Sequence, residues 1–461
     1  MATVNLKAFP EPKQLYCPHC AKPVTLYDPD GSEYLVCTSC NYYLRYIDQK
    51  YLQSQYSVSP IKYEHILDPG STGTLKGTVY KVLAYMEKKE AGTAYDWREY
   101  MLYSYTKGYA FLAEYNGHWS FIAGIQHFPE LKDAMLDGAA ATLNDVEYLE
   151  FNRYTPEITA LTGEFDWDAY DEKISAREFV SPPWMLVREK NKTNPKVIDW
   201  YLGEYITPQE IADGFRITTE KFPEQADIGA NQPNPTRQKY KQTLRISIVA
   251  AVIMVVIQVL CVILRPSQTI MSRSVPLLPP PVAKTDTAKK DSAAATSSLP
   301  GGTYEFQPQR TPSFNISNGP APLDVYLSDQ LDNNWMEATV ELVSEKDNQT
   351  WDVTQEIEYY HGYEDGDNWS EGSTNGTITI DDVPPGSYHL NIYPYAGMAA
   401  AQNIDMVVTA NVILWQNILV TLLVLALAPL AFWYFQRRFE VNRWMNSDFS
   451  PYNKSTSSDD D

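Results

Sequence analysis

Positive charge is scarce in this sequence. Thirty-seven lysines and arginines stand against 58 aspartates and glutamates, a formal net charge of −21 over 461 residues. Residues 1–236 carry 22 basic against 33 acidic side chains, and residues 265–411 carry 7 against 20. A protein that grips DNA or RNA displaces counterions from phosphates with lysine and arginine, so this balance argues against a nucleic-acid partner. Cysteine is scarcer still. Of five, four form two close pairs near the N-terminus, Cys261 lies alone in an apolar run, and none falls in 265–411, which excludes a disulfide within that segment. The opening stretch MATVNLKAFPEPKQLYCPHC has no apolar run of the signal-peptide kind. The N-terminal region is therefore expected in the cytoplasm, where thiols stay reduced and open to metal. A Gly-rich phosphate loop, a nucleophile elbow and a His-Glu-x-x-His pair are all missing.

What is present points to a mainly β protein. Apolar residues make up 44% of the chain, and 33 tyrosines and 11 tryptophans favour pleated surfaces. The length suits two or three domains. Two runs lack central charge. Residues 244–264 (LRISIVAAVIMVVIQVLCVIL) and 412–435 (VILWQNILVTLLVLALAPLAFWYF) are each long enough to span a bilayer core of about 30 Å as a helix. Trp415, Trp433, Tyr434 and Phe435 stand near the ends of the second run, as interfacial aromatics do. Arg237, Lys239, Lys241 and Arg245 flank the first run, and Arg437, Arg438 and Arg443 follow the second. The positive-inside rule then places both termini in the cytoplasm and residues 265–411 outside, with the lipid bilayer as a partner. Residues 223–243 read as a linker with a basic flank, 265–302 as a Pro/Ala/Ser-rich linker and 436–461 as a polar cytoplasmic tail.

The cysteine pairs carry the most specific motif. Cys17-Pro-His-Cys20 and Cys37-Thr-Ser-Cys40 bracket a spacer with an Asp30-Gly31 turn between short β-like runs. Each knuckle brings two thiolates to one metal and two knuckles complete a tetrahedron, so residues 1–60 are expected to form a zinc ribbon. Four protein ligands leave no position for water, which makes the zinc structural. His19, inside the first knuckle, reads as a solvated residue.

From Thr78 the chain reads as a meander: TVYKVLAYM, EYMLYSY, YAFLAEY, WSFIAGI, with an Asn116-Gly117 hairpin turn. Further strands are expected around 145–165, 178–190 and 196–205. Thr207-Pro208-Gln209-Glu210 reads as a capping box that opens a short helix. The combination Gly163-Glu164-Phe165-Asp166-Trp167, Pro182-Pro183, Leu186, Glu189, Trp200 and Leu202-Gly203-Glu204-Tyr205, over roughly 65–210, resembles the bacterial family called domain of unknown function 4178. The resemblance implies a domain without an assigned activity, often preceded by a zinc ribbon. Its association with small membrane proteins and aminopropyltransferase-like genes implies an envelope or stress-related system in the bacterial inner membrane.

Catalysis in the 65–222 domain would rest on His65, His118, His127, Glu189 or the alternating Glu164, Asp166 and Asp168. On a strand those three acids share one face, expected outward, while Phe165 and Trp167 face inward. Residues 303–411 alternate like an extracellular β-sandwich, and His361–Trp369 reads as an exposed acidic loop that falls short of a Ca²⁺-binding pattern. The expected whole is a zinc ribbon and a β-rich cytoplasmic domain, two transmembrane helices and an extracytoplasmic β-sandwich. Together they would form a non-catalytic adaptor between unidentified cytoplasmic and extracytoplasmic proteins. The rival reading is an enzyme or cation-binding module within 65–210.

Overall fold

A computed structural model of the protein describes residues 9–132, 138–171, 173–278, 298–299, 303–317, 319–364, 366–397 and 403–452. The chain is mainly β and divides into two compact units, residues 1–241 with 430–461, and residues 242–429.

The first unit starts with β1 (Lys13–Tyr16), β2 (Pro23–Leu26), β3 (Tyr34–Val36), β4 (Tyr42–Ile47) and β5 (Tyr51–Ser57). It continues with β6 (Thr72–Leu75), β7 (Thr78–Glu90), β8 (Asp96–Ser104), β9 (Gly108–Tyr115), β10 (His118–Gly124), β11 (Glu130–Lys132) and β12 (Ala140–Leu143). The last strands are β13 (Val146–Tyr154), β14 (Pro156–Phe165), β15 (Ile174–Ser181), β16 (Trp184–Asn191) and β17 (Ile198–Ile206). The first two strands pair with each other. The rest form one antiparallel sheet in the order β11-β12-β13-β15-β16-β17-β10-β9-β8-β7-β14-β3-β4-β5, with β6 on β7. The expected meander is present. Asn116 and Gly117 both take positive φ (49° and 77°), as a type I′ turn demands. The helix α1 (Pro208–Phe215) has the expected capping box between Thr207 and Glu210.

The ribbon is not a bead on a string. Strand β14 runs along β7 as far as Gly163↔Ala84, then leaves it and pairs with β3 through Glu164↔Leu35 and Phe165↔Tyr34. Gly163 is the hinge. Its φ is 98°, and a Cβ there would collide with the Leu83 carbonyl and Ala84 Cα. The sheet also curls. Strands β8 and β13 are far apart in its order, yet the Trp97 and Tyr154 rings meet edge to face at 5.3 Å.

Two regions expected as linker and tail are structured parts of this unit. Asn231 is buried, accepts from Ser120 Oγ and donates to the Pro183 carbonyl. Asn234 Nδ2 donates to the Gln436 carbonyl and the Glu440 carboxylate. Arg443 is fully buried, and its guanidinium donates to the carbonyls of Gly229, Ala230 and Gln232. Trp444 then packs with Phe151, Val180, Met185 and Val187. Polar composition suggested free chain here, but these polar groups are satisfied by backbone partners far away in sequence, which composition cannot register.

Helices α2 (Arg237–Leu264) and α3 (Trp415–Arg443) are long and apolar enough to cross a membrane. The first starts seven residues before the apolar run, so the basic flank is helical. In the second unit the Asn411 side chain donates to the Pro266 carbonyl and the Arg265 guanidinium to the Pro320 carbonyl.

The strands of the second unit are β18 (Gln268–Pro276), β19 (Ser298–Leu299), β20 (Thr303–Glu305), β21 (Gln309–Arg310), β22 (Phe314–Ile316) and β23 (Ala321–Ser328). They continue as β24 (Asn334–Ser344), β25 (Thr350–Glu364), β26 (Asp367–Ser373), β27 (Asn375–Val383), β28 (Gly386–Ala396) and β29 (Asn403–Ala410). One sheet runs β18-β29-β23-β27, the other β19-β20-β28-β24-β25-β26, with β21 and β22 also on β28. Leu323, Val325, Met406 and Val408 of the first share a core with Met336, Val340, Leu390 and Ile392 of the second. The expected 265–302 linker is therefore corrected in its first part. Strand β18 pairs along β29, and Val275 and Leu277 are buried. The Pro-rich composition starts only at Pro276, and averaging over the whole segment hid a short pairing strand. Residues 279–297 of that segment, and 453–461 of the expected tail, lie outside the described residues.

Arg443 makes a direct test of the docked tail. Arg443→Ala leaves one buried and two partly buried carbonyls without this donor and should destabilise the docking by about 2 kcal/mol. Hydrogen exchange should show loss of protection at Trp444 to Asp448. Unchanged protection there would mean that the tail is held by Trp444 alone.

Candidate metal centre and the buried carboxylates around it

The four cysteines predicted as ligands converge. Their sulfur atoms all lie within 4.8 Å of one another, with Cys17 and Cys37 buried and Cys20 and Cys40 half-buried. Cys17 Sγ is 3.8 Å from Cys40 Sγ, and Cys20 Sγ is 3.7 Å from Cys37 Sγ. A tetrahedron with metal–sulfur bonds of about 2.3 Å has edges of about 3.8 Å, so the separations suit one tetrathiolate ion. Each knuckle turns on a backbone bond: Ala21 N–H to the Cys17 carbonyl, and Asn41 N–H to the Cys37 carbonyl. Ala21 and Asn41 both adopt positive φ, which closes the turns. The Lys22 amide holds the Cys20 thiol down at about 7. Burial pushes Cys37 up and Cys40 up to about 12. Thiols this close resist ionising together, and a bound cation reverses that order. His19 stacks on Tyr42 at 3.8 Å between ring centroids, a packing role not seen in the sequence.

Glu164 is the main correction. Its carboxylate does not face solvent. It is 2% exposed and accepts hydrogen bonds from the backbone amides of Tyr27 (2.8 Å) and Asp28 (2.7 Å), which lead out of the ribbon strand β2. The alternation reading failed for two reasons. The ribbon covers the face expected to be solvated, and β14 ends at Phe165, so the pattern does not extend to Trp167 and Asp168. Phe165 does face inward, fully buried against Trp167. Asp168 accepts from the Tyr43 hydroxyl at 3.3 Å. Burial pushes the Glu164 carboxyl up to about 8 although the two amides favour its ionised form.

The other buried acids of this unit behave alike. Glu87 takes the amides of Lys62 and Tyr63, and Glu114 takes that of Gly117 and pairs with Arg98. Glu150 takes the amide of Ala139 and the guanidiniums of Arg153 and Arg177. Burial alone would raise Glu150, but the two arginines and the amide outweigh it and hold the group at about 2. Asp28 closes its own turn on the Gly31 and Asp30 amides.

One polar cluster is of another kind. On the curled face Tyr154 Oη donates to Glu178 at 2.7 Å, and Lys88 Nζ and Trp97 Nε1 each donate to Glu99 at 2.7 Å. Burial raises Glu178, and the Glu99 and Glu90 carboxylates add to the rise. No local pattern points to it, because its two halves sit on strand pairs that only the curl brings together. Of the histidines, His118 is buried between Tyr205 Oη and the Ala226 carbonyl, His65 pairs with Asp68, and His127 joins neither site. Glu189 lies opposite Asp199 on the β16–β17 ladder. The segment 361–369 is the exposed end of the β25–β26 hairpin, where His361 bonds Asp332. Asp365 lies outside the described residues.

Residues 68–208 match the family model described as Domain of unknown function (DUF4178). The match begins beyond the ribbon and ends at the first residue of α1. No curated protein matches the chain. Among solved structures, one described as "Structure of PNGF-II in C2 space group" is 8% identical, with 72% of this chain and 66% of that one covered and a TM-score of 0.14. The chain thus spans just under two thirds of that protein's length. Another, described as "Structure of infectious bursal disease virus Gx strain", is 8% identical with 87% and 68% covered and a TM-score of 0.16. Neither likeness defines a shared fold.

The raised Glu164 sets a pH dependence. An acid bound to its proton more tightly when folded than when unfolded stabilises the fold at low pH. That contribution is full below the unfolded value of 4.5 and is lost as pH rises toward about 8. Thermal unfolding should show Glu164→Gln removing this slope between those limits. Glu164→Ala should destabilise the ribbon junction by about 2 kcal/mol, because two buried amides lose their acceptor. A slope unchanged in Glu164→Gln would assign the dependence to another group.

Proposed function

We propose that this protein is a non-catalytic, membrane-anchored adaptor of a bacterial inner membrane, with a structural zinc ion in its ribbon. The observation that carries the reading is the use of the buried carboxylates. Asp28, Glu87, Glu114, Glu150 and Glu164 each hold backbone amides of turns or of the ribbon junction. A catalytic acid or base must keep an oxygen for substrate. Glu150 and Glu164 engage both oxygens in hydrogen bonds within the protein, and all five acids fix loops or the ribbon junction, which is how a rigid binding platform is specified.

Zinc is the ion that best suits four thiolates in a closed tetrahedral site, and such a site stabilises a fold without offering water a coordination position. The two apolar helices are read as two membrane spans. Within the first unit Asn234 bonds Gln436 and Glu440, and within the second Asn411 bonds the Pro266 carbonyl. With the basic residues beside the first unit, this supports termini and ribbon in the cytoplasm and residues 265–411 outside as a two-sheet sandwich. The partners on each side are proteins, engaged by the ribbon-capped sheet within and the sandwich without. A second reading, an enzyme or cation-binding module, draws on the Glu99–Lys88–Trp97 and Tyr154–Glu178 cluster.

Protein purified under reducing conditions should carry about one zinc per chain, and Cys37→Ser should lose it while still inserting in the membrane. Elemental analysis without zinc would sink the metal assignment. For the adaptor reading, complementation of a deletion strain is decisive. Tyr154→Phe and Glu178→Gln should support growth like the parent protein, whereas deletion of residues 9–60 should not. Loss of function in either conservative variant, with the protein folded and in the membrane, would move the assignment to the second reading.

A further inference from the structure

Within the first unit, one side chain fastens the start of α2 to the end of α3. Asn234 Oδ1 accepts from the amide and hydroxyl of Thr236 at the entry to α2. Its Nδ2 donates to the Gln436 carbonyl and to the Glu440 carboxylate of α3. Two basic turns thereby become neighbours. Arg237 and Lys241 stand four residues apart on one face of α2, and Arg437 and Arg438 follow directly on the apolar run of α3. All four are exposed, and none forms an ion pair with a carboxylate among the described residues. Residues 1–236 carry 33 acidic against 22 basic side chains, yet residues 237–245 carry four basic and no acidic ones. The one acid of the adjoining α3 turns, Glu440, is already met by Arg443, so the surplus at this junction is positive.

The depth of these charges fits a headgroup. Lys241 precedes one apolar run and Arg437 follows the other, each within about 5 Å of the run at ~1.5 Å per residue. The Arg437 guanidinium lies over the Trp433 ring at 5.6 Å, and an exposed indole belongs at the membrane interface. We infer that the joined helix ends form a binding site for the phosphate of an anionic membrane phospholipid. The guanidiniums offer paired donors to phosphate oxygens, and Lys241 adds a point charge. A zwitterionic headgroup carries its own cation and gains less from the same four charges. The inference rests on reading the two helices as membrane spans, and deepens that reading by naming a lipid class. The same residues also orient the spans, so orientation must be removed from the measurement.

The full chain in uncharged detergent micelles has no orientation to lose. Native mass spectrometry, with phosphatidylglycerol or phosphatidylcholine of the same acyl chains as titrant, reads the affinity for each lipid. Phosphatidylglycerol should bind more tightly, and its advantage should shrink as salt is raised. Arg237→Gln with Lys241→Gln, and separately Arg437→Gln with Arg438→Gln, should each weaken phosphatidylglycerol by about 25-fold, about fivefold per cation. Phosphatidylcholine should be unchanged in both. Lys50→Gln with Lys107→Gln removes two exposed lysines elsewhere in the same unit and should change neither lipid. Equal affinity for the two lipids, or equal losses from the helix-end pairs and the control pair, would overturn the inference and leave the four residues only their orienting role. A chain that alkaline carbonate washes off the membrane would instead overturn the membrane reading, and the inference with it.

Discussion

A carboxylate removed from water has to be met by donors, and at Glu164 the donors are two backbone amides from a different part of the chain. That exchange joins the cysteine ribbon to the large sheet. Tyr27 and Asp28 follow strand β2, whose partner β1 leads into the first cysteine knuckle, so anything that frees the two amides loosens the metal centre as well. The motif around Glu164 follows from the same constraint. Gly163 lets the strand depart from β7, Glu164 receives the ribbon, and Phe165 fills the core beneath. Three neighbouring residues thus perform three structural jobs.

The segment before the first apolar helix and the segment after the second are bound into this platform by a comparable device. The Arg443 guanidinium, buried and given three carbonyls, fixes one to the other. A planar guanidinium suits this better than an ammonium, because its fixed fork can serve several acceptors at once. Trp444 then supplies the apolar area that composition alone would assign to a free tail.

The Glu178 cluster differs from the other acids in what it touches. Its members bond to side chains on the same or the neighbouring strand and not to loop amides, and the Trp97–Tyr154 ring contact joins the two halves across the curl. A carboxyl raised by burial and by neighbouring carboxylates is also a common feature of acid–base sites. Structural ion networks produce the same shift, however, and here Glu99 and Glu178 each have a close donor. The cluster is read as the packing solution for a strongly bent sheet whose inner face cannot be wholly apolar.

Much of the architecture was legible in the residues themselves. Two Cys-x-x-Cys knuckles can converge on one ion whatever surrounds them, since the spacing alone sets the local turn. Asn116-Gly117 and Thr207-Pro208-Gln209-Glu210 act within four residues, and so do not depend on the fold. Two uncharged apolar runs of membrane length need no partner to be recognised. The fate of Glu164 was different. Alternation tells which residues share a face, but not whether another part of the chain will cover that face, and only the pairing of β14 with β3 buried it. The docking of Arg443 and the strand within the supposed linker are likewise decided by contacts between residues far apart in sequence, where local pattern carries no information.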